Sequence, residues 1–211
     1  SHTITNIKGD KRVEEVTIMK VDDATKKPIP GTEITFDVDT VLLSVGLIPE
    51  NEISRAAGIE MDRQTGGPVV YENYETSIEG IFASGNVVHV HDLVDFVSEE
   101  AAMAGKNAVR YIKGETAKEA ARIDIIPTDG VRYTVPKYIR PENMEDTLTV
   151  RFRVGGVYKN CYISTYFDDE RVMRRKRPVV APGEMEEVKL SKEKLAEYPN
   201  LKTITVKIEE A

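Results

Sequence analysis

The sequence predicts an α/β first half joined to an all-β second half, and three observations carry that expectation. Two continuous apolar runs ending in glycine, residues 39–46 and 81–85, read as strands buried on both faces, as in a parallel sheet. Between Leu93 and Ile112 the apolar residues Phe96, Val97, Ala101, Ala104, Ala108, Val109 and Ile112 recur at three- and four-residue steps, the period of a helix. After Pro127 the pattern changes to short alternating runs bounded by Gly, Pro, Asp or Asn, the signature of a β-sandwich or barrel.

Each element follows in order. Residues 3–7 and 13–21 alternate apolar and polar side chains around Gly9-Asp10, which predicts a β-hairpin. Residues 23–31 form a polar loop punctuated by Pro28, Pro30 and Gly31, and a third short strand is expected over 34–36. Pro49 ends the apolar run, and residues 50–57 form a short helix stopped by Gly58. Gly66-Gly67-Pro68 is a turn. The long helix is capped by Asp92 or Asp95 and ends at Gly114. Its small residues Ala101, Ala104 and Gly105 suggest close packing against another backbone. Strands are expected over 147–154, 161–167, 172–175, 187–190 and 203–208, arranged as an immunoglobulin-like sandwich. Residues 115–128 read as the linker between the halves.

Composition narrows the partners. Hydrophobic residues at 40% against 31% charged suffice for a packed core. A net charge of -7 disfavours general binding to nucleic acid or to an anionic membrane surface. The single cysteine, Cys161, rules out an intrachain disulfide and a thiolate zinc site, and fits a cytoplasmic setting. No apolar run approaches the roughly 18 residues of a membrane span. Ser1-His2 runs directly into the first strand, which is expected of a trimmed terminus, a tag remnant or a truncated parent alike.

Two segments carry chemistry. The first is Thr40-Val41-Leu42-Leu43-Ser44-Val45-Gly46-Leu47-Ile48-Pro49-Glu50-Asn51; the second is Thr76-Ser77-Ile78-Glu79-Gly80-Ile81-Phe82-Ala83-Ser84-Gly85-Asn86-Val87. In this order, and followed by an Ala/Gly-rich helix, they resemble the pyridine nucleotide-disulfide oxidoreductases, the thioredoxin-reductase-like branch above all. The resemblance spans about residues 1–114. It implies that residues 1–36 are the closing β-meander of an NAD(P)-binding domain. Residues 37–114 are then the C-terminal portion of an FAD-binding domain, a Rossmann-like three-layer remnant. Residues 129–211 lie outside the pattern as an accessory sandwich.

The resemblance also implies a cofactor site for FAD, with NAD(P)H as co-substrate. Gly85 lets a strand end approach the cofactor, and Asn86 and Val87 meet the flavin's ribityl chain. Backbone amides near Leu93 and Val94 face the flavin's pyrimidine edge, where a helix N-terminus stabilises negative charge. Gly46 and Pro49 shape the crossover near the adenosine side. The family usually has Asp where Asn86 stands; Asn keeps the hydrogen-bonding capacity without the charge.

No Gly-x-Gly-x-x-Gly and no Cys-x-x-Cys occurs in the sequence. In the resembling enzymes those motifs lie N-terminal to this region, so the chain is expected to be inactive alone, as part of an NAD(P)H oxidoreductase with an unidentified acceptor. The alternative is a non-catalytic interaction module centred on the sandwich, and a homodimer fits either reading. Among lesser features, His89, His91 and Asp92 have metal-ligand chemistry but read more simply as loop or flavin-side residues, and no metal site is expected. The basic residues Arg171, Arg174, Arg175, Lys176 and Arg177 read as a solvated strand edge, and Tyr158, Tyr162 and Tyr166 as one face of a strand.

Overall fold

The structure, a computed structural model, describes residues 1–44, 46–117 and 120–210. It is mostly β-sheet with few helices, in two compact units, residues 1–46 and 47–211.

The first unit is the expected antiparallel meander: β1 (His2–Lys8), β2 (Glu15–Lys20) and β3 (Ile34–Asp37), in the order β1-β2-β3. Its first connection closes because residue 9 is glycine; a Cβ there would sit 2.0 Å from the Arg12 carbonyl oxygen. The second connection is tied by Asp22, whose carboxylate accepts 2.7 Å bonds from the Thr25 amide and hydroxyl. The buried strand expected over 39–46 does not form in the described residues. Leu42 and Leu43 stand 91% and 65% exposed, and no strand is hydrogen-bonded alongside them. An apolar run becomes a strand only where a neighbouring backbone takes up its N–H and C=O groups. Val45 lies outside the described residues.

The second unit opens with α1 (Glu52–Ala56), followed by Gly58 at φ +78, as the sequence predicts. Residues 59–83 are held by isolated bridges, Met61 to Pro68, Val70 to Thr76 and Glu75 to Phe82. The strand expected over 81–85 is therefore a single bridge at Phe82, and the chain turns into a 3-10 helix over Gly85–Val87. The long helix α2 (Val94–Ile112) forms where its periodicity places it, with Gly114 at φ +73 just beyond its end. Of the small residues, only Ala104 is buried; Ala101 and Gly105 are exposed.

The β-rich region holds β4 (Ile123–Pro127), β5 (Val131–Val135), β6 (Tyr138–Ile139), β7 (Thr147–Val154), β8 (Tyr158–Phe167), β9 (Glu170–Val180), β10 (Glu186–Ser191), helix α3 (Lys192–Ala196) and β11 (Thr203–Glu210). β4 falls within the C-terminal part of the expected linker; Lys118 and Glu119 of that stretch lie outside the described residues. The strands make two sheets, ordered β10-β7-β5 and β6-β4-β11-β8-β9. Their inner faces share one core, in which Val150, Phe152, Val154, Val180, Ile204 and Val206 are fully buried. The immunoglobulin-like order is not the one observed. That fold pairs its last two strands in one sheet, whereas β10 and β11 lie in different sheets and β11 runs parallel to β4. The helix α3 between them carries the chain from one sheet to the other.

The basic run lies on β9, the edge strand of its sheet, and its arginines are paired. Arg171 and Arg174 meet Glu209, Arg175 and Arg177 meet Glu186, and Arg174 also covers the Tyr162 ring at 3.6 Å. Glu209 is the hub of this outer face. Hydroxyl bonds from Ser164 and Tyr166, both 2.6 Å, with Lys207 beside them, hold its carboxyl down to about 2. A depressed carboxylate adds stability above its unfolded value of about 4.3, and that stability is lost as pH falls toward the folded value. Glu209→Gln is therefore expected to cost about 1 kcal/mol at pH 7, screening included. Urea unfolding curves at pH 7 and pH 2.5 check it; the gap between variant and parent should narrow at the lower pH. Cys161 is buried, as the sequence predicts, and burial pushes its thiol up.

Candidate functional site

The turn 84–93 between Ser84 and α2 carries most of the residues singled out by the sequence. Gly85 needs its glycine, since its φ is +71 and an added Cβ would lie 3.0 Å from Val97 Cγ1. The turn is set in place from outside. Asn51 donates its side-chain amide to the carbonyls of Val87 (2.7 Å) and Gly66 (3.2 Å). Gly67 packs so closely on this turn that a Cβ there would stand 1.9 Å from the Val88 oxygen.

Asn86 turns its side-chain oxygen inward, where it accepts from the His91 backbone N–H at 3.1 Å and lies 3.2 Å from His91 Nδ1. Its amide nitrogen makes no hydrogen bond among the described residues. Val87, Leu93 and Val94 are 38%, 53% and 74% exposed. Leu93 is the N-cap of α2 and supplies no side-chain cap. Asp92, expected as a cap, is drawn away: it pairs with Arg153 and accepts the Met185 backbone N–H at 2.6 Å. Asp95 lies in the first turn and makes no cap bond. The first-turn N–H groups of a 19-residue helix therefore stay open, an electropositive end suited to an electron-rich group.

Gly46 is exposed, has open space around its Cβ position and closes the first unit. Pro49 is half-buried in the second. Gly85, Asn86, Val87, Leu93 and Val94 thus lie on or at the end of one turn, while Gly46 belongs to the first unit.

Beneath the turn lies a buried polar cluster. Glu100 of α2 is 1% exposed. Its Oε1 stands 3.1 Å from His89 Nε2, 2.9 Å from His91 Nε2 and 3.2 Å from Arg151 Nη1. Its Oε2 accepts the Gly85 N–H at 3.3 Å. Arg151 of β7 also binds Glu99 at 2.6 Å. Burial alone would raise the Glu100 carboxyl, but the two histidines outweigh it and hold it down to about 2. Burial lowers the His89 imidazole, and burial, then the charge of Glu100, raises the Tyr74 phenol. A second buried group ties the β-rich region to residues 72–75. There the Arg140 Nη2 donates to Glu75 at 3.1 Å and its backbone N–H to Glu72 at 2.8 Å. Burial raises Glu72 despite the arginine.

Sequence reasoning missed Glu100 and Arg151. A signal for the first was present: Val97, Glu100, Ala104, Asn107 and Tyr111 form one stripe of α2, so Glu100 sits where an apolar residue belongs. Arg151 alternates correctly with the inward residues Val150 and Phe152, and nothing local marks it as buried.

A glycine turn, the Asn86 side chain and an uncapped helix start lie together in this segment, donors suited to an electron-rich group. A profile of pyridine nucleotide-disulphide oxidoreductase matches residues 1–110, from the first strand nearly to the end of α2 and over half of the chain, leaving the β-rich region outside. The chain belongs to that family of flavin-dependent oxidoreductases.

Proposed function

We propose that this chain is the C-terminal portion of an FAD-dependent NAD(P)H oxidoreductase of the thioredoxin-reductase-like branch, acting in the cytoplasm on an unidentified acceptor. The observation that supports this most is the uncapped start of α2 beside Asn86. When bound, FAD supplies the redox chemistry, accepting hydride from a nicotinamide and releasing electrons. The chain's own residues bind and orient. Asn86 donates its free amide to a ribityl hydroxyl, and the amides of Val94 and the residues after it favour the negative edge of the reduced ring. Val87 and Leu93 give apolar cover. Gly46 and Pro49 belong to the crossover on the adenosine side.

In this reading residues 1–36 close an NAD(P)-binding domain and 37–114 end an FAD-binding domain. The β-rich region is an accessory module for dimerisation or for docking the acceptor. The chain holds no dinucleotide fingerprint, so turnover requires the rest of the protein.

A visible absorption spectrum of the gene product made from its own start codon tests the proposal. Flavin bands that bleach with NADH or NADPH are expected, and the nucleotide that bleaches them faster identifies the donor. A folded, colourless protein that takes up no added FAD would overturn it.

A further inference from the structure

We infer that His89, His91 and Glu100 form a binding site for one divalent transition-metal ion of zinc's class, which clamps the 85–91 turn to α2. The three donor atoms lie within 4.8 Å of one another. Those of the two histidines stand 3.1 and 2.9 Å from Glu100 Oε1, close to the roughly 3.3 Å between ligands that share an ion bonded at about 2.0–2.2 Å. Two imidazoles and one carboxylate are a borderline set that suits zinc, cobalt or ferrous iron rather than calcium or magnesium.

An orphaned atom points to the ion independently. The Asn86 oxygen is fixed by the His91 backbone N–H, so it faces His91 Nδ1 as an acceptor, and Nδ1 carries the ring proton. Nε2 then presents a lone pair to Glu100 Oε1, another acceptor. It makes no hydrogen bond although the side chain is 1% exposed. Two facing lone pairs at 2.9 Å call for a cation between them, either a metal ion or a second ring proton on His91.

Charge agrees. Arg151 is balanced by Glu99, which leaves Glu100 with one negative charge for the ion, and the Arg151 and Gly85 N–H groups orient the carboxylate from outside the coordination sphere. Asp92, the carboxylate nearest in sequence, is committed to Arg153 and takes no part. Because the site is enclosed, the ion acts on the fold: it is captured as the chain folds and stabilises the turn.

The full chain, refolded in chelator and then in one equivalent of Zn2+ or Co2+, tests this. One bound ion per chain by elemental analysis, a raised Tm, and visible Co2+ bands without a thiolate charge-transfer band are expected. His91→Ala and Glu100→Gln should weaken uptake about 100-fold or more, while His2→Ala, at the only other histidine, should leave it unchanged. The cobalt spectrum of the unaltered chain decides the matter even where a variant fails to fold. No stoichiometric uptake would overturn the site, since a proton on His91 would then bridge the two groups. Uptake that survives His91→Ala in a folded chain would overturn it as well.

Discussion

Replacing Arg151 with alanine is expected to lower stability by about 3–5 kcal/mol, the cost of breaking a buried ion pair from one side. The residue is 5% exposed and reaches from β7 into the helical part of the same unit, where it binds Glu100 at 3.2 Å and Glu99 at 2.6 Å. Its guanidinium also lies 4.8 Å from the centre of the Phe96 ring. Removing it leaves the Glu100 carboxylate under the turn without its cationic partner, faced by two histidines and the Gly85 N–H, and opens a cavity between strand and helix. Urea unfolding by far-UV circular dichroism measures the loss. Arg151→Lys should recover a fraction of it, because lysine restores the charge but not the fork that spans two carboxylates. A loss under 1 kcal/mol would mean that the helix and the β-rich region are not held together through this pair.

Gly67→Ala is expected to cost about 3 kcal/mol, at the upper end for overpacking. The added methyl would meet the Val88 and Val87 oxygens at 1.9 and 2.5 Å, and both are backbone atoms that cannot rotate away. The turn carrying Gly85 and Asn86 must then shift, and Asn51 loses its grip on the Val87 carbonyl. Flavin affinity of the intact protein should fall with stability, which fluorescence titration and thermal unfolding would show together. Gly105→Ala is the control: it lies in α2 with open space at its Cβ position, and helix propensity predicts a gain of about 0.5–1 kcal/mol. Equal destabilisation by both substitutions would argue against the close approach at Gly67.

Much of the candidate site was legible because it depends on local chemistry. Gly85 and Asn86 end a recognisable segment, and α2 announces itself by its period. Glu100 and Arg151 were not legible, because each is 50 residues or so from its partner and each obeys the local pattern of its element closely enough to pass as surface. The cap at Asp92 was misread for a related reason. Its competitors, Arg153 and the Met185 amide, arrive from 61 and 93 residues downstream.

By itself the sequence determined the meander of β1–β3, the extent of α2, the strands from β7 onward and the family, since each rests on periodicity, turn chemistry or a contiguous motif. Only the tertiary structure decided that residues 39–44 and 81–85 are not strands, that β10 and β11 part into different sheets, and which polar side chains meet in the core. The physical reason is that a strand's pairing and a buried charge's partner are long-range choices. Each is settled by whichever backbone or side chain the rest of the fold brings alongside, and no window of neighbouring residues contains that information.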